Sequence, residues 1–266
     1  MGEMFNQTDM SSILEISKWK GEGVIAGITT RKGGFSQSPY DTLNMGFHVH
    51  DDSELVTKNY NRIEEELEIP LDWWVSSKQV HGTDVYEVGE PIHPEHSLRP
   101  PNFTLEYDGW ITNQNRVLLT GVFADCVPLY FRSKEWVGLA HAGWKGTVHE
   151  MGPKMIDRFI AHHVPLEEIE VVIGPCIGPL HYEVDDTVVK HISKAFQTED
   201  VMTRTDENHY LLNLKQLHKN LLIQKGLKED QINVTNYCTY ENEDLFYSHR
   251  RDQGKTGRMM AFIGFH

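Results

Sequence analysis

The chain has 266 residues, 39% apolar and 10% aromatic, a length and composition that support a sizeable core and exclude a disordered or fibrous protein. A formal charge of −14 argues against general binding to nucleic acid or to an anionic membrane, because phosphate affinity rests on Lys and Arg. Three cysteines (Cys126, Cys176, Cys238), an odd number widely spread, do not form a disulfide framework and are expected to be thiols or ligands.

The N-terminus, MGEMFNQTDMSS, has neither a basic start nor an apolar run of signal-peptide length, and the most apolar stretch elsewhere is interrupted by Asp125. A cytoplasmic protein with no membrane span is expected. Residues 1–21 read as a peripheral segment ahead of one domain, since no repeat, heptad or low-complexity tract divides the chain. Strand-like runs follow at 23–30, 72–80, 83–88, 116–122, 127–131, 136–142, 170–174, 231–237 and 257–265. Helical periodicity fits 53–69, with Asp52 or Ser53 as N-cap, then about 148–163, 185–197 and 213–225. Strands outnumber helices without regular alternation, which predicts an α+β layered fold. Residues 90–103, with four prolines, read as an exposed loop.

Three segments each end an apolar run on a metal-capable side chain: His81 in KQVHG, Cys126 in ADCVPL and His141 in LAHAGW. One Cys and two His are an accepted catalytic zinc set that leaves a position open. Separations of 45 and 15 residues place the three on different elements, unlike the closely spaced pairs of a zinc finger. Taken singly, each has an ordinary explanation: a turn histidine before glycine, or a cysteine packed among Val and Leu. Asp125 beside the thiol could orient a ligand or move protons, or simply stabilise a turn. Lys145 could meet a substrate anion or begin a helix in solvent. The residue types fit equally a cysteine hydrolase with Cys126 as nucleophile, His141 or His81 as base and Asp125 as orienter.

Positive charge is concentrated beside glycines in TTRKGG (Arg31, Lys32) and HRRDQGKTGR (Arg250, Arg251, Lys255, Arg258), which suits a small anion better than a polymer. Two decoys fail. GLAHAGWKGT mimics a phosphate loop, but Trp144 stands where that motif requires Lys. HVH at 48–50 suggests copper, but no blue-copper arrangement is legible.

Seven stretches, TTRKGGFSQSPYDTLNMGFHVHDD, KQVHGTDV, YDGWIT, ADCVPLYF, AHAGWKGT, IGPCIGPLHYEV and YSHRRDQGKTGRMMAFI, resemble the YfiH/YlmD family, also called the laccase-domain or polyphenol-oxidase family, from about residue 22 onward. The resemblance implies a four-layer α/β/β/α arrangement with mixed sheets, and a zinc site made by His81, Cys126 and His141. It implies purine nucleosides and phosphate as partners: phosphorolysis of adenosine, inosine and methylthioadenosine, and deamination of adenosine. The laccase name reflects an older claim of copper oxidation, and copper is the less favoured metal here. A role in editing peptidoglycan precursors is a further expectation, which a cysteine amidase would also satisfy. By motif position Arg31, Asn44 and Arg251 are expected in the substrate pocket. His249 departs from the family, which more often has an aromatic there. Oligomeric state is not legible.

Overall fold

The computed structural model describes residues 2–7, 12–89 and 105–265; the proline-rich stretch at 90–103 lies outside them. Two six-stranded sheets form the centre. The first runs in the order Phe5–Gln7, Ile13–Ile16, Val24–Thr29, Met259–Phe265, Leu118–Phe123, Trp74–Val75, antiparallel except at its last pair. The second runs Ile232–Val234, Glu170–Ile173, Val127–Arg132, Val137–Ala142, Gly109–Thr112, Val85–Glu87, with parallel pairs at both edges.

Alternation along the strands shows how the layers stack. In Met259–Phe265, Met259, Ala261 and Ile263 join the core between the two sheets, while Met260 and Phe262 face the helix Ser53–Leu67. In the second sheet, Tyr130 and Val172 point toward the first sheet, whereas Leu129, Phe131, Val171 and Ile173 meet the helices Met151–Ala161 and Leu214–Lys225. Successive side chains of a strand point to opposite faces, so strands buried on both faces read as unbroken apolar runs. The order is helix, sheet, sheet, helix, the expected four layers.

The helices follow from local chemistry. Asp52 caps Ser53–Leu67 by accepting from the Glu54 amide (2.8 Å), and Val56, Tyr60, Ile63 and Leu67 form its buried stripe. Asn213 caps Leu214–Lys225, which stops at Gly226 with φ 112°. The helix expected at 148–163 is instead two, Trp144–Val148 and Met151–Ala161, because Glu150 between them is left-handed with φ 63°. The helix expected at 185–197 shrinks to Asp186–Val189 and a 3-10 turn, Lys194–Phe196. Its run Thr187–Val188–Val189 is β-branched and poorly suited to extending a helix.

A small third sheet, Glu183–Asp185, His209–Leu212 and Met202–Arg204, was not legible in the sequence. The strand expected over 72–80 is only Trp74–Val75; the chain then leaves the sheet and carries His81 into a loop. The described residues within the first 21, expected to be peripheral, form the edge of the first sheet and bury Phe5, Leu14, Ile16 and Trp19 in the inter-sheet core. No helix is long and apolar enough to cross a membrane among the described residues.

Candidate metal centre

Strand Leu118–Phe123 belongs to the first sheet and Val127–Arg132 to the second, so the corner 124–126 hands the chain from one to the other. Asp125 makes that corner in a left-handed conformation, φ 81°. Its carboxylate accepts from the Thr239 hydroxyl (2.6 Å), the Ser248 hydroxyl (3.1 Å) and the Arg250 amide (2.7 Å). Every bond to that carboxylate comes from the C-terminal loops, which makes Asp125 the brace that aims the adjacent Cys126. The carboxylate that meets a ligand's ring nitrogen belongs to another residue.

That residue is Asp108, which sequence reasoning passed over. It sits just before strand Gly109–Thr112, fully buried, and its carboxylate lies 2.8 Å from Nδ1 of His141. The same carboxylate accepts the amides of Val80, His81 and Gly82 at 3.1, 3.1 and 2.7 Å, holding His81 at φ 60°. Asp108 therefore orients two candidate ligands at once, and these bonds hold its carboxyl below the usual range against the effect of burial. The one sequence hint was YDGWIT, an acid before a glycine at the mouth of an apolar run.

The donor atoms of His81, Cys126 and His141 all lie within 4.8 Å of one another, with Cys126 Sγ 4.0 Å from His81 Nε2. No other group of three or more His, Cys, Asp or Glu donors comes this close among the described residues. Zinc bonds of about 2.0–2.3 Å set one sulfur and two nitrogen donors roughly 3.3–3.6 Å apart, so these three side chains would close by about 1 Å at most. With Nδ1 of His141 engaged by Asp108, Nε2 is the nitrogen left for an ion. Burial would raise the Cys126 thiol, but the His141 charge and hydrogen bonds from His141 and His81 overcome it and bring the thiol down to about 6. Burial would likewise lower His141, yet Cys126 and Asp108 raise it to about 9. A thiolate held between imidazoles is the donor set a thiophilic divalent ion takes, so the residues fit the group.

The triad lies in the wall of a cavity of about 970 Å³ lined also by Phe47, Tyr182, Trp144, His48, Arg250 and Arg258. Desolvation and the charges of Arg258, His141 and His81 push His48 down to about 4, so it is neutral at pH 7. Lys145 lines this cavity. Arg31, Asn44 and Arg251 do not. Arg31 is spent on Asp41, the Glu243 carbonyl and the Tyr247 ring. Arg251 binds Asp252 and the carbonyls of Thr239, Tyr240 and Phe246. Asn44 is buried and holds the amides of Gly46 and Arg258. In each case a polar side chain inside folded loops satisfies backbone groups that have no regular ladder to join. Of the Lys and Arg residues in the loop 249–258, Arg250 and Arg258 line the cavity.

Known proteins share this architecture. A purine nucleoside phosphorylase YlmD from Bacillus subtilis strain 168 is 40% identical over 262 residues, 95% of this chain and 94% of its own. One of the same name from Geobacillus stearothermophilus is 41% identical over 247 residues, 91% and 90% of the two chains. Crystal structures of Bacillus licheniformis YfiH and of Geobacillus stearothermophilus YlmD each superpose with a TM-score of 0.92 at 38% identity, the first covering 98% of this chain and 99% of its own, the second all of both. The model of the multi-copper polyphenol oxidoreductase laccase family matches residues 25–266, and the chain belongs to that family.

Proposed function

We propose that the protein is a zinc-dependent purine nucleoside phosphorylase acting on adenosine, inosine or methylthioadenosine, with adenosine deamination as a second activity of the same cavity. The observation that carries this reading is the juxtaposition in one cavity of a His–Cys–His donor set, aromatic walls and arginines. Aromatic faces such as Phe47, Tyr182 and Trp144 suit a planar base, and guanidinium groups suit a tetrahedral oxyanion. The relatives named purine nucleoside phosphorylase support a purine nucleoside and phosphate as substrates.

In phosphorolysis the glycosidic carbon–nitrogen bond breaks, a phosphate oxygen bonds to the anomeric carbon, and the base leaves with a proton. Arginines that hold phosphate against the ribose lower the entropic part of that barrier and stabilise charge on the attacking group. His81, Cys126 and His141 would hold the ion, Asp108 fixing the first and last. Zinc, when bound, supplies Lewis-acid activation at neutral pH, the chemistry that deamination requires. A multi-copper oxidase would need further donor clusters for electron transfer, and the single cluster among the described residues supports one ion. Three free thiols fit the reducing conditions of the cytoplasm.

The test is to incubate metal-quantified protein with adenosine, with and without phosphate, and to separate the products. Adenine and ribose 1-phosphate appearing only with phosphate is the expected result, with inosine marking deamination. Cys126→Ala is expected to lose both the ion and turnover; full activity without metal would overturn the reading.

A second reading has its own observation. Cys126, His141 and Asp108 also form a nucleophile, base and orienter, with a thiol already lowered to about 6. An amidase acting on a cell-wall precursor would use them, and its activity would resist chelators and yield to thiol alkylation.

A further inference from the structure

Four Lys and Arg side chains line the cavity among the described residues, and only one of these is both sheltered and without an ion pair. Lys78 pairs with Glu106 at 2.6 Å. Lys145 is exposed beside the Trp144 ring, and Arg250 is exposed, stacked on Tyr182 with Nη1 donating to the Glu183 carbonyl. Arg258 is half-buried and has no ion pair among the described residues, whereas Arg31, Arg62, Arg132, Arg158 and Arg251 all meet carboxylates.

Arg258 is also held in place. Its amide donates to Asn44 Oδ1 at 2.9 Å, and Nη1 donates to the Thr256 and Gly257 carbonyls, each at 2.9 Å. Its stem packs so closely on Gly46 that a Cβ there would lie 2.8 Å from Cγ. The Nε and Nη2 donors have no protein acceptor among the described residues, while the residue lines the cavity. Burial disfavours the guanidinium and outweighs the more distant negative charges of Cys126 and Asp125, consistent with its lowered pKa. A fixed fork with one edge occupied and the other open matches two oxygens of a tetrahedral anion.

We infer that Arg258 is the residue that binds inorganic phosphate in this cavity, preorganised by Asn44 and by the carbonyls of Thr256 and Gly257. Phosphate as co-substrate rests on the phosphorolysis reading; phosphate binding at Arg258 does not. Asn44, expected from the sequence to touch substrate, acts instead through the backbone of Arg258.

The experiment is calorimetric titration of the zinc-loaded protein with inorganic phosphate, for the wild type, Arg258→Met, Arg258→Lys and Arg250→Met, with zinc content and circular dichroism recorded for each. Arg258→Met keeps the stem and is expected to weaken phosphate about 10-fold or more at unchanged zinc content, the size of losing a charge-assisted pair. Arg258→Lys is expected to recover part of that loss. If the protein also turns over adenosine, KM for phosphate rises in Arg258→Met while KM for adenosine stays within about 2-fold. Loss of phosphate in Arg258→Met without any adenosine turnover leaves the inference standing and removes the phosphorolysis reading. Equal phosphate affinity in Arg258→Met, loss confined to Arg250→Met, or wild-type binding of adenosine 5′-monophosphate but not of inorganic phosphate each overturns it.

Discussion

Asp108 shows how one buried carboxylate does what two separate residues were expected to do. It binds the imidazole of His141 and three successive amides around His81, so its negative charge is shared by groups from a strand and a loop. Asp108→Asn keeps the shape but replaces one acceptor oxygen with a donor that opposes these amides or the ring. Zinc affinity is expected to fall by about 10–100-fold, the usual consequence of removing a partner that orients a ligand. Competition with a chromogenic chelator measures it, and unchanged affinity would show that His141 orients itself. His81, Cys126 and His141 were legible because each follows an apolar run and carries a metal-capable side chain, although only His141 lies in a strand. Asp108 was not, because a lone acid before glycine is the ordinary signature of a turn.

At the scale of elements, the site depends on a close approach of backbone to side chains. A Cβ on Gly143 would stand 3.0 Å from Cys126 Sγ and 3.1 Å from His81 Cδ2. The position is held from the other side: the Thr147 hydroxyl donates to the Gly143 carbonyl at 2.9 Å, and the buried His218 lies 2.9 Å from that hydroxyl. Gly143→Ala is expected to lower metal occupancy by spreading the donors while leaving the unfolding midpoint of the metal-free protein nearly unchanged, since φ at −73° suits any residue. Metal analysis beside a urea titration of the apo protein separates the two effects. Helices with a cap and a stripe, such as Ser53–Leu67, were readable locally. The break at Glu150 was not, because no residue preference marks a left-handed glutamate in an apolar helix pattern.

For the molecule as a whole, Glu170 clasps the layers together. It receives Arg132 from its own sheet (2.6 Å), and Lys18 (2.9 Å) and the Trp19 indole (3.3 Å) from the segment that closes the other sheet. Burial would raise its carboxyl, but Arg132 and Lys18 hold it at about 2, below its ordinary 4.5. A depressed carboxylate adds stability that is complete above about pH 4.5 and fades as pH falls toward 2. Glu170→Gln is expected to cost about 1–2 kcal/mol at pH 7, allowing for solvent screening, and progressively less in acid. Urea unfolding at pH 7 and pH 3 checks this; a difference independent of pH would assign the effect to packing.

The sequence by itself determined the class of fold, most strands of the two large sheets, the cap of the helix Ser53–Leu67 and the three donors, because side-chain periodicity and chain-end chemistry are local. It also located positive charge in the C-terminal loop. Only tertiary structure decided which of those charges faces the cavity, that Asp108 rather than Asp125 meets His141, and that the N-terminal strands complete a sheet. Each of these depends on residues far apart in the chain meeting at one rim, Asn44 with Arg258 and Asp125 with Thr239 among them. A polar side chain carries no local mark of whether its partner will be a substrate or the protein's own backbone.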